Sequence, residues 1–288
     1  MLLATVSLWA LNFTVSKYIL DHGLHPLSYS SIRYACAAIL FVGITLAWEG
    51  SVRIARHDLP IVVLCTAVLF ANQLSFVYAL RFTTATTVAL LFGTLPIFTA
   101  LFARGSGVEH LPLRFWIAAG FSFAGVALVA VGSGGNLSAN LKGDVLAVLG
   151  SATWAAYSVA IGPLMRRYSP FRLSAVFLLA AAVLLFVAGS RQLAGQTFHF
   201  GALVWIGFAF AVIGPLVITN LLWFSAIDRD GPSRASLFAN LQPFLAALIA
   251  LTLLSEPITA VQIVGGLAIA CGIVLASRRG QVLVPPAE

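Results

Sequence analysis

Long apolar stretches, each closed by a cluster of charged residues, Gly or Pro, follow one another along nearly the whole chain. Their limits fall near residues 2–21, 27–48, 59–80, 83–103, 111–132, 143–164, 171–189, 200–227, 231–253 and 257–277. A helix needs about 20 apolar residues to span the hydrocarbon core of a bilayer, so the pattern predicts ten transmembrane helices with short connections. The third and fourth spans are divided least sharply, by Arg81 and the threonines Thr83, Thr84, Thr86 and Thr87. The first stretch has no basic region ahead of it and carries Asn12 and Ser16 within it, so it reads as a retained span and not as a secretory signal.

The pattern also repeats. A shift of 147 residues lays Ala79 on Ala226, Pro96 on Pro243, Glu109 on Glu256 and Gly125 on Gly272, and near the start a shift of 145 lays Trp9-Ala10 on Trp154-Ala155. Five helices per copy is an odd number, so the second copy must enter the membrane from the opposite face. The expected fold is therefore all-α and integral to the membrane: ten transmembrane helices as two inverted five-helix repeats. Residues 1–132 form the first repeat, 133–142 an external linker, 143–280 the second repeat and 281–288 a C-terminal tail.

Composition narrows the function. Hydrophobic residues make up 60% of the 288 and charged residues 9%, far below the roughly 25% charged content of a soluble domain, which leaves no room for a soluble domain and makes the lipid bilayer the chain's solvent. The formal charge of +7 comes from Lys and Arg residues scattered over short connections. Eleven of the sixteen fall on one side of the ten-span arrangement and five on the other, which puts both termini in the cytoplasm. No basic run interleaved with aromatics points to nucleic acid. Cys36, Cys65 and Cys271 lie inside apolar stretches without metal-ligand or disulfide spacing, so no metal and no cofactor is expected.

Two groups of residues carry a resemblance to a known family. One is Leu8-Trp9-Ala10-Leu11-Asn12-Phe13 with its echo Thr153-Trp154-Ala155-Ala156-Tyr157. The other is the pair of unit ends, Val108-Glu109 leading into Ala119-Gly120 and Gly125, and Ser255-Glu256-Pro257 leading into Gly265-Gly266 and Gly272. In these, over about residues 2–277, the chain resembles the drug/metabolite transporter superfamily, specifically its EamA-type exporters and among them the YddG-like amino-acid exporters. The resemblance implies efflux of amino acids, aromatic and other neutral ones, across the inner membrane, and in some members of cationic compounds such as methyl viologen.

A carrier needs a polar or aromatic site near the midplane. Thr5, Trp9, Asn12 and Ser16 form one helical stripe in the first span, and Ser151, Trp154 and Ser158, with Tyr157 adjacent, form its counterpart in the sixth. Asn72, Ser75 and Tyr78 recur every three residues in the third, Thr83, Thr87 and Thr94 lie in the fourth, Asn220 and Trp223 in the eighth, and Ser233, Ser236 and Asn240 in the ninth. From these, Trp9, Asn12, Ser16, Tyr78, Thr94, Trp154, Tyr157, Asn220 and Asn240 are the candidate substrate-binding residues. Amides suit the ammonium and carboxylate of an amino acid, aromatic faces its side chain or a cation. For an isolated Ser or Thr, hydrogen bonding between helices is the plainer account.

Pro96 and Pro243, at matching positions in the fourth and ninth spans, are candidate hinges. Lys17 and Arg33 lie near external span ends; they read as side chains snorkelling to the interface, or as a cavity mouth that attracts a carboxylate. All nine acidic residues fall at span ends or in connections, so no buried carboxylate is on hand as a proton carrier, and no cation is expected in the central cavity. Small residues Gly120 with Ala124, and Ala268 with Gly272, are spaced for close helix packing. The expected activity is alternating-access efflux of a small molecule by a monomer. Export of other metabolites or quaternary cations, a passive channel and an intramembrane enzyme are the alternatives; the last lacks any HExxH, GxSxG or Cys/His cluster.

Overall fold

A computed structural model of the chain describes residues 1–132, 140–246, 248 and 259–277. Its helices are α1 (Leu2–Asp21), α2 (Pro26–Glu49), α3 (Leu59–Phe82), α4 (Ala85–Phe92), α5 (Leu95–Gly105), α6 (Leu113–Gly132), α7 (Leu141–Ala160), the single turn α8 (Gly162–Met165), α9 (Pro170–Ala194), α10 (Ala202–Val212), α11 (Thr219–Asp230), α12 (Pro232–Ala239) and α13 (Ala260–Ser277). A π-helical turn, Ile213–Ile218, joins α10 to α11. Eight spans among the described residues are long and apolar enough to cross a membrane, Ala85–Gly105 and Ala202–Asp230 each counting as one; α13 is a shorter apolar helix. Outward-facing Ile39, Val63, Val187 and Leu267 are exposed, as a lipid-facing surface requires.

Local chemistry sets the helix starts. Thr84, Asn140 and Ser169 cap α4, α7 and α9 by accepting hydrogen bonds from the first-turn N–H groups of Thr87, of Lys142 and Gly143, and of Arg172. Pro26 opens α2, where a missing N–H costs nothing.

Two spans break inside the bundle, and proline is the reason. Pro96 has no N–H to offer the carbonyl of Phe92, and its ring would collide with that carbonyl, so α4 ends at Phe92 and α5 starts at Leu95. Gly93 and Thr94 bridge the gap with shorter bonds to Leu90 and Leu91. The same thing happens 147 residues later: α12 ends at Ala239, four residues before Pro243, and Asn240 and Leu241 bond back to Leu237 and Phe238. The sequence predicts kinked spans here; the chain instead divides them into separate half-helices.

The packing has a matching regularity. α6 lies on α13, α2 on α9, α3 on α7, and α1 on the α10–α11 span. Exchanging α1 for α7, α2 for α9, α3 for the α10–α11 span and α6 for α13 turns these pairings into one another. In the α6–α13 seam a Cβ on Gly125 would stand 2.6 Å from the Gly265 carbonyl oxygen, and one on Gly272 would stand 2.7 Å from that of Ala118. The backbones therefore touch where only glycine fits. The sequence reading of close packing holds for Gly272 and is corrected for the other pair: Gly120 and Ala124 point outward, and Gly125 and Gly265 join Gly272 in the seam.

Side chains tie α2 to α9 at both ends. At one, Arg172 pairs with Glu49 at 2.9 Å, and beside them Arg167 and Tyr168, just ahead of α9, hold Asp58 at the start of α3. At the other, Gln192 accepts from the Leu27 N–H and Gln196 from that of His25. Glu109, in the connection after α5, lies against the start of α12; burial pushes its pKa up, against the pull of Ser233 and Arg234. Glu256 lies outside the described residues.

The seam gives a test. Gly125→Leu forces α6 and α13 apart and lowers stability by about 1–3 kcal/mol, the usual cost of overpacking, whereas Gly120→Ala, on an open outward position, leaves it unchanged. Thermal unfolding of both variants in detergent checks this, and equal midpoints would contradict the seam.

Candidate functional site

The half-helix breaks and the π-helical turn meet around one cavity. Phe92 and Leu95 flank the first break, Gln242 follows the second, and Pro215 and Leu216 belong to the π-helical turn; all five line the cavity. Irregular backbone in a lipid-embedded fold is tolerated where it is buried in protein or borders an aqueous space, and that is where this chain puts it. Asn220 Nδ2 and Thr219 Oγ1 donate to the carbonyls of Leu216 and Pro215 and so satisfy the turn.

The remaining wall comes from α1, α2, α3 and α7: Trp9, Asn12 and Phe13; Arg33 and Tyr34; Asn72, Gln73 and Phe76; and Trp154. The cavity takes in about 580 Å³ of empty space, its open side included. Its polar residues are Asn12, Asn72, Gln73, Gln242, Arg33 and Tyr34; the rest is largely aromatic.

Arg33 departs from one of its two sequence readings, the snorkelling one, and lines the cavity. It does not snorkel: it is 2% exposed and faces inward. Nη1 donates to the Tyr29 hydroxyl at 3.1 Å and to Asn12 Oδ1 at 3.4 Å, and Nη2 donates to Gln73 Oε1 at 3.0 Å. The Tyr29 ring lies 4.9 Å from the guanidinium carbon and the Phe76 ring 5.9 Å. Ser16 closes the circuit, bonded to Tyr29 at 2.7 Å and donating to Asn12 Oδ1 at 3.1 Å. Gln73 Nε2 in turn donates to Ser30. Every one of these partners is neutral. Among the described residues no carboxylate pairs with Arg33, and its Nε has no acceptor. A cation therefore stands in the central cavity, contrary to expectation.

The tryptophans gather beside it. Trp9 meets Trp154 edge-on at 5.5 Å and Trp223 at 4.9 Å, so the two residues that the 145-residue shift superimposes touch each other. Trp9 Nε1 donates to Thr219 and Trp223 Nε1 to Ser158, both at 3.1 Å, while the buried Trp154 Nε1 has no acceptor.

Of the candidates read from sequence, Trp9, Asn12 and Trp154 line the cavity and Ser16 backs it. The others are turned elsewhere. Tyr78 accepts from Gln192 and stacks on Phe82; Thr94 sits 3.0 Å from Ser151; Tyr157 is buried among Trp154, Phe177 and Phe224. Asn220 serves its own helix, and Asn240 donates to Ser122 of α6. Pro96 and Pro243 stand one to three residues past the breaks they cause. Lys17, 27% exposed, pairs with Asp21 and donates to the Leu80 carbonyl, away from the wall. Gln73, Gln242 and Pro215 were not among the candidates. The signals were present: Gln73 follows Asn72, Gln242 precedes a proline matched between repeats, and Gly214-Pro215 interrupts an apolar span.

The network predicts that Tyr29→Phe, which removes the hydroxyl shared by Ser16 and Arg33, destabilises the protein by about 1–3 kcal/mol. Thermal unfolding measures it; an unchanged midpoint would show that the hydroxyl does not hold the guanidinium.

Comparison with known proteins gives this geometry a context. Residues 1–131 and 141–278 match the EamA-like transporter family. A Bacillus subtilis (strain 168) protein called uncharacterized transporter YyaM is 26% identical, the alignment covering 95% of this chain and 90% of that one. The uncharacterized inner membrane transporter YedA of Escherichia coli (strain K12) is 26% identical over 82% of this chain and 76% of its own. A probable terminal-alkyne amino-acid exporter of Streptantibioticus cattleyicolor is 25% identical over 96% and 92%. A solved crystal structure superposes with a TM-score of 0.75 at 18% identity, covering 95% of this chain and 96% of the other, which establishes a shared fold.

Proposed function

From membership of the EamA-like transporter family, to which this multi-pass membrane chain belongs, we propose that it is an efflux carrier for amino acids working by alternating access across the inner membrane. The observation that carries the proposal is the cavity itself. Amide groups, a guanidinium and a wall of indole and phenyl rings suit a molecule with a charged head and an apolar body. The name of the Streptantibioticus cattleyicolor relative agrees with this cargo class, and that of the Escherichia coli relative with the inner membrane. Arg33 in the wall weighs against quaternary cations such as methyl viologen.

In this reading the chain has ten spans in two inverted five-helix repeats, 1–132 and 143–280, with both termini cytoplasmic. The two stretches matched by the family, the paired breaks before Pro96 and Pro243, and the self-matching helix pairings support it. The breaks then act as hinges: half-helices on either side of the cavity tilt in alternation while the α6–α13 and α2–α9 contacts hold. Trp9, Asn12 and Trp154 contact the cargo directly.

Purified protein in liposomes, offered labelled amino acids, methyl viologen and a phosphorylated sugar, tests the proposal. Saturable amino-acid flux with counterflow is the expected result. Flux that does not saturate would make the protein a channel, and movement of the sugar phosphate alone would overturn the cargo. Trp154→Ala and Asn12→Ala are expected to cut flux about tenfold, the loss of roughly 1.4 kcal/mol of contact, while still assembling in the membrane; wild-type kinetics in both would remove them from the site.

A further inference from the structure

We propose that Arg33 is the receptor for a carboxylate on the cargo, so that a free carboxylate, and not an ammonium or a cationic group, is the obligatory recognition element. The inference deepens the amino-acid efflux reading and rests on it for the identity of the cargo.

Three features lead there. Arg33 is 98% removed from solvent on the wall of the cavity, seven residues into α2, and nothing among the described residues neutralises it. An ionised side chain at that depth is costly and persists where a partner repays it. The partners present are a phenol and two amide oxygens, all neutral. They position the guanidinium and leave its charge unspent.

Donor counting points the same way. A guanidinium has five N–H donors, and three hydrogen bonds engage at most three of them, with Nε unpaired. A carboxylate can accept two parallel bonds from what remains. Because Arg33 is the only cation among the described residues of this wall, the match in charge is a monoanion and not a doubly charged phosphate. Phe76, Trp9 and Trp154 supply the apolar surroundings in which such a bond is strong.

The experiment reads binding rather than flux. Thermal midpoints of the purified full chain in detergent are titrated with four compounds sharing a phenyl body: phenylalanine, 3-phenylpropionate, phenylalaninamide and phenethylamine. Glucose 6-phosphate is the phosphate arm. The two carboxylates are expected to bind about 10- to 100-fold more tightly than the amide and the amine, the range of a hydrogen bond to a charged group. In Arg33→Gln that preference falls to within about threefold, and Arg33→Lys keeps part of it, a point charge without the planar fork.

Equal binding of amide and acid to the wild type, preference surviving in Arg33→Gln, binding of the sugar phosphate alone, or no binding by any compound would each overturn the proposal. Should Arg33→Gln fail to fold, Arg33→Lys decides: a carboxylate preference undiminished there would overturn the proposal. A protein that prefers carboxylates yet carries none across liposomes would sink the efflux reading and leave the receptor standing. Phenylalanine flux with no carboxylate preference would do the reverse.

Discussion

Lipid offers no hydrogen bonds, and this fold is arranged around that fact. A straight apolar helix satisfies its own backbone; a broken helix, a π-helical turn or a buried amide does not. The chain contains all three, and each lies at the inner cavity or inside the protein. The breaks before Pro96 and Pro243, the turn around Pro215 and the amides of Asn12, Asn72, Gln73 and Gln242 thus share one cause. Each departs from the regular apolar span, and only the interior of the bundle can accommodate it. The outside is left to apolar side chains, among them Ile39, Val63, Val187, Leu267 and Phe121.

Arg33 shows how far the shelter extends. Placing an arginine at a helix centre in a membrane costs about 2.5–3.5 kcal/mol on insertion scales, and neutral hydrogen bonds offset part of it. The ring of Tyr29, Ser16, Asn12 and Gln73 draws on α1, α2 and α3 together, so the charge also fastens three helices to one another. The α6–α13 seam works on the opposite principle. It has almost no side chain between its backbones at Gly125 and Gly265, and dispersion at close range holds it. A bundle with a close-packed glycine seam, a tethered α2–α9 pair and interrupted spans between them has its tightest contacts and its breaks laid out in its covalent sequence.

Much of this is legible in the sequence, and what is not has a physical reason. The spans can be read because lipid demands about 20 apolar residues at a time, and the breaks because a proline acts on the carbonyl four residues before it. Arg33 is misleading because it lies about 10 Å along α2 from Pro26, within snorkelling reach when one helix is considered alone; the acceptors on α1 and α3 are a property of packing. Tyr78, Tyr157, Asn220 and Asn240 are not in the cavity lining, for a related reason. A stripe says that residues share a face and is silent about what stands opposite, which for these four is Gln192, an aromatic core, their own helix and Ser122. The glycine seam turns on a single step: Gly125 follows the outward Ala124 by about 100° of helix rotation, enough to move the contact from lipid to α13.

The central claim is that an unneutralised guanidinium, held by neutral partners among aromatic rings, is the place where the cargo's charge is met. A structure of the protein with phenylalanine bound tests it most directly. The account predicts the amino acid's carboxylate within about 2.7–3.2 Å of an Arg33 nitrogen, its ring among Trp9, Trp154 and Phe76. A bound amino acid in the same cavity with its carboxylate turned away from Arg33 would contradict it.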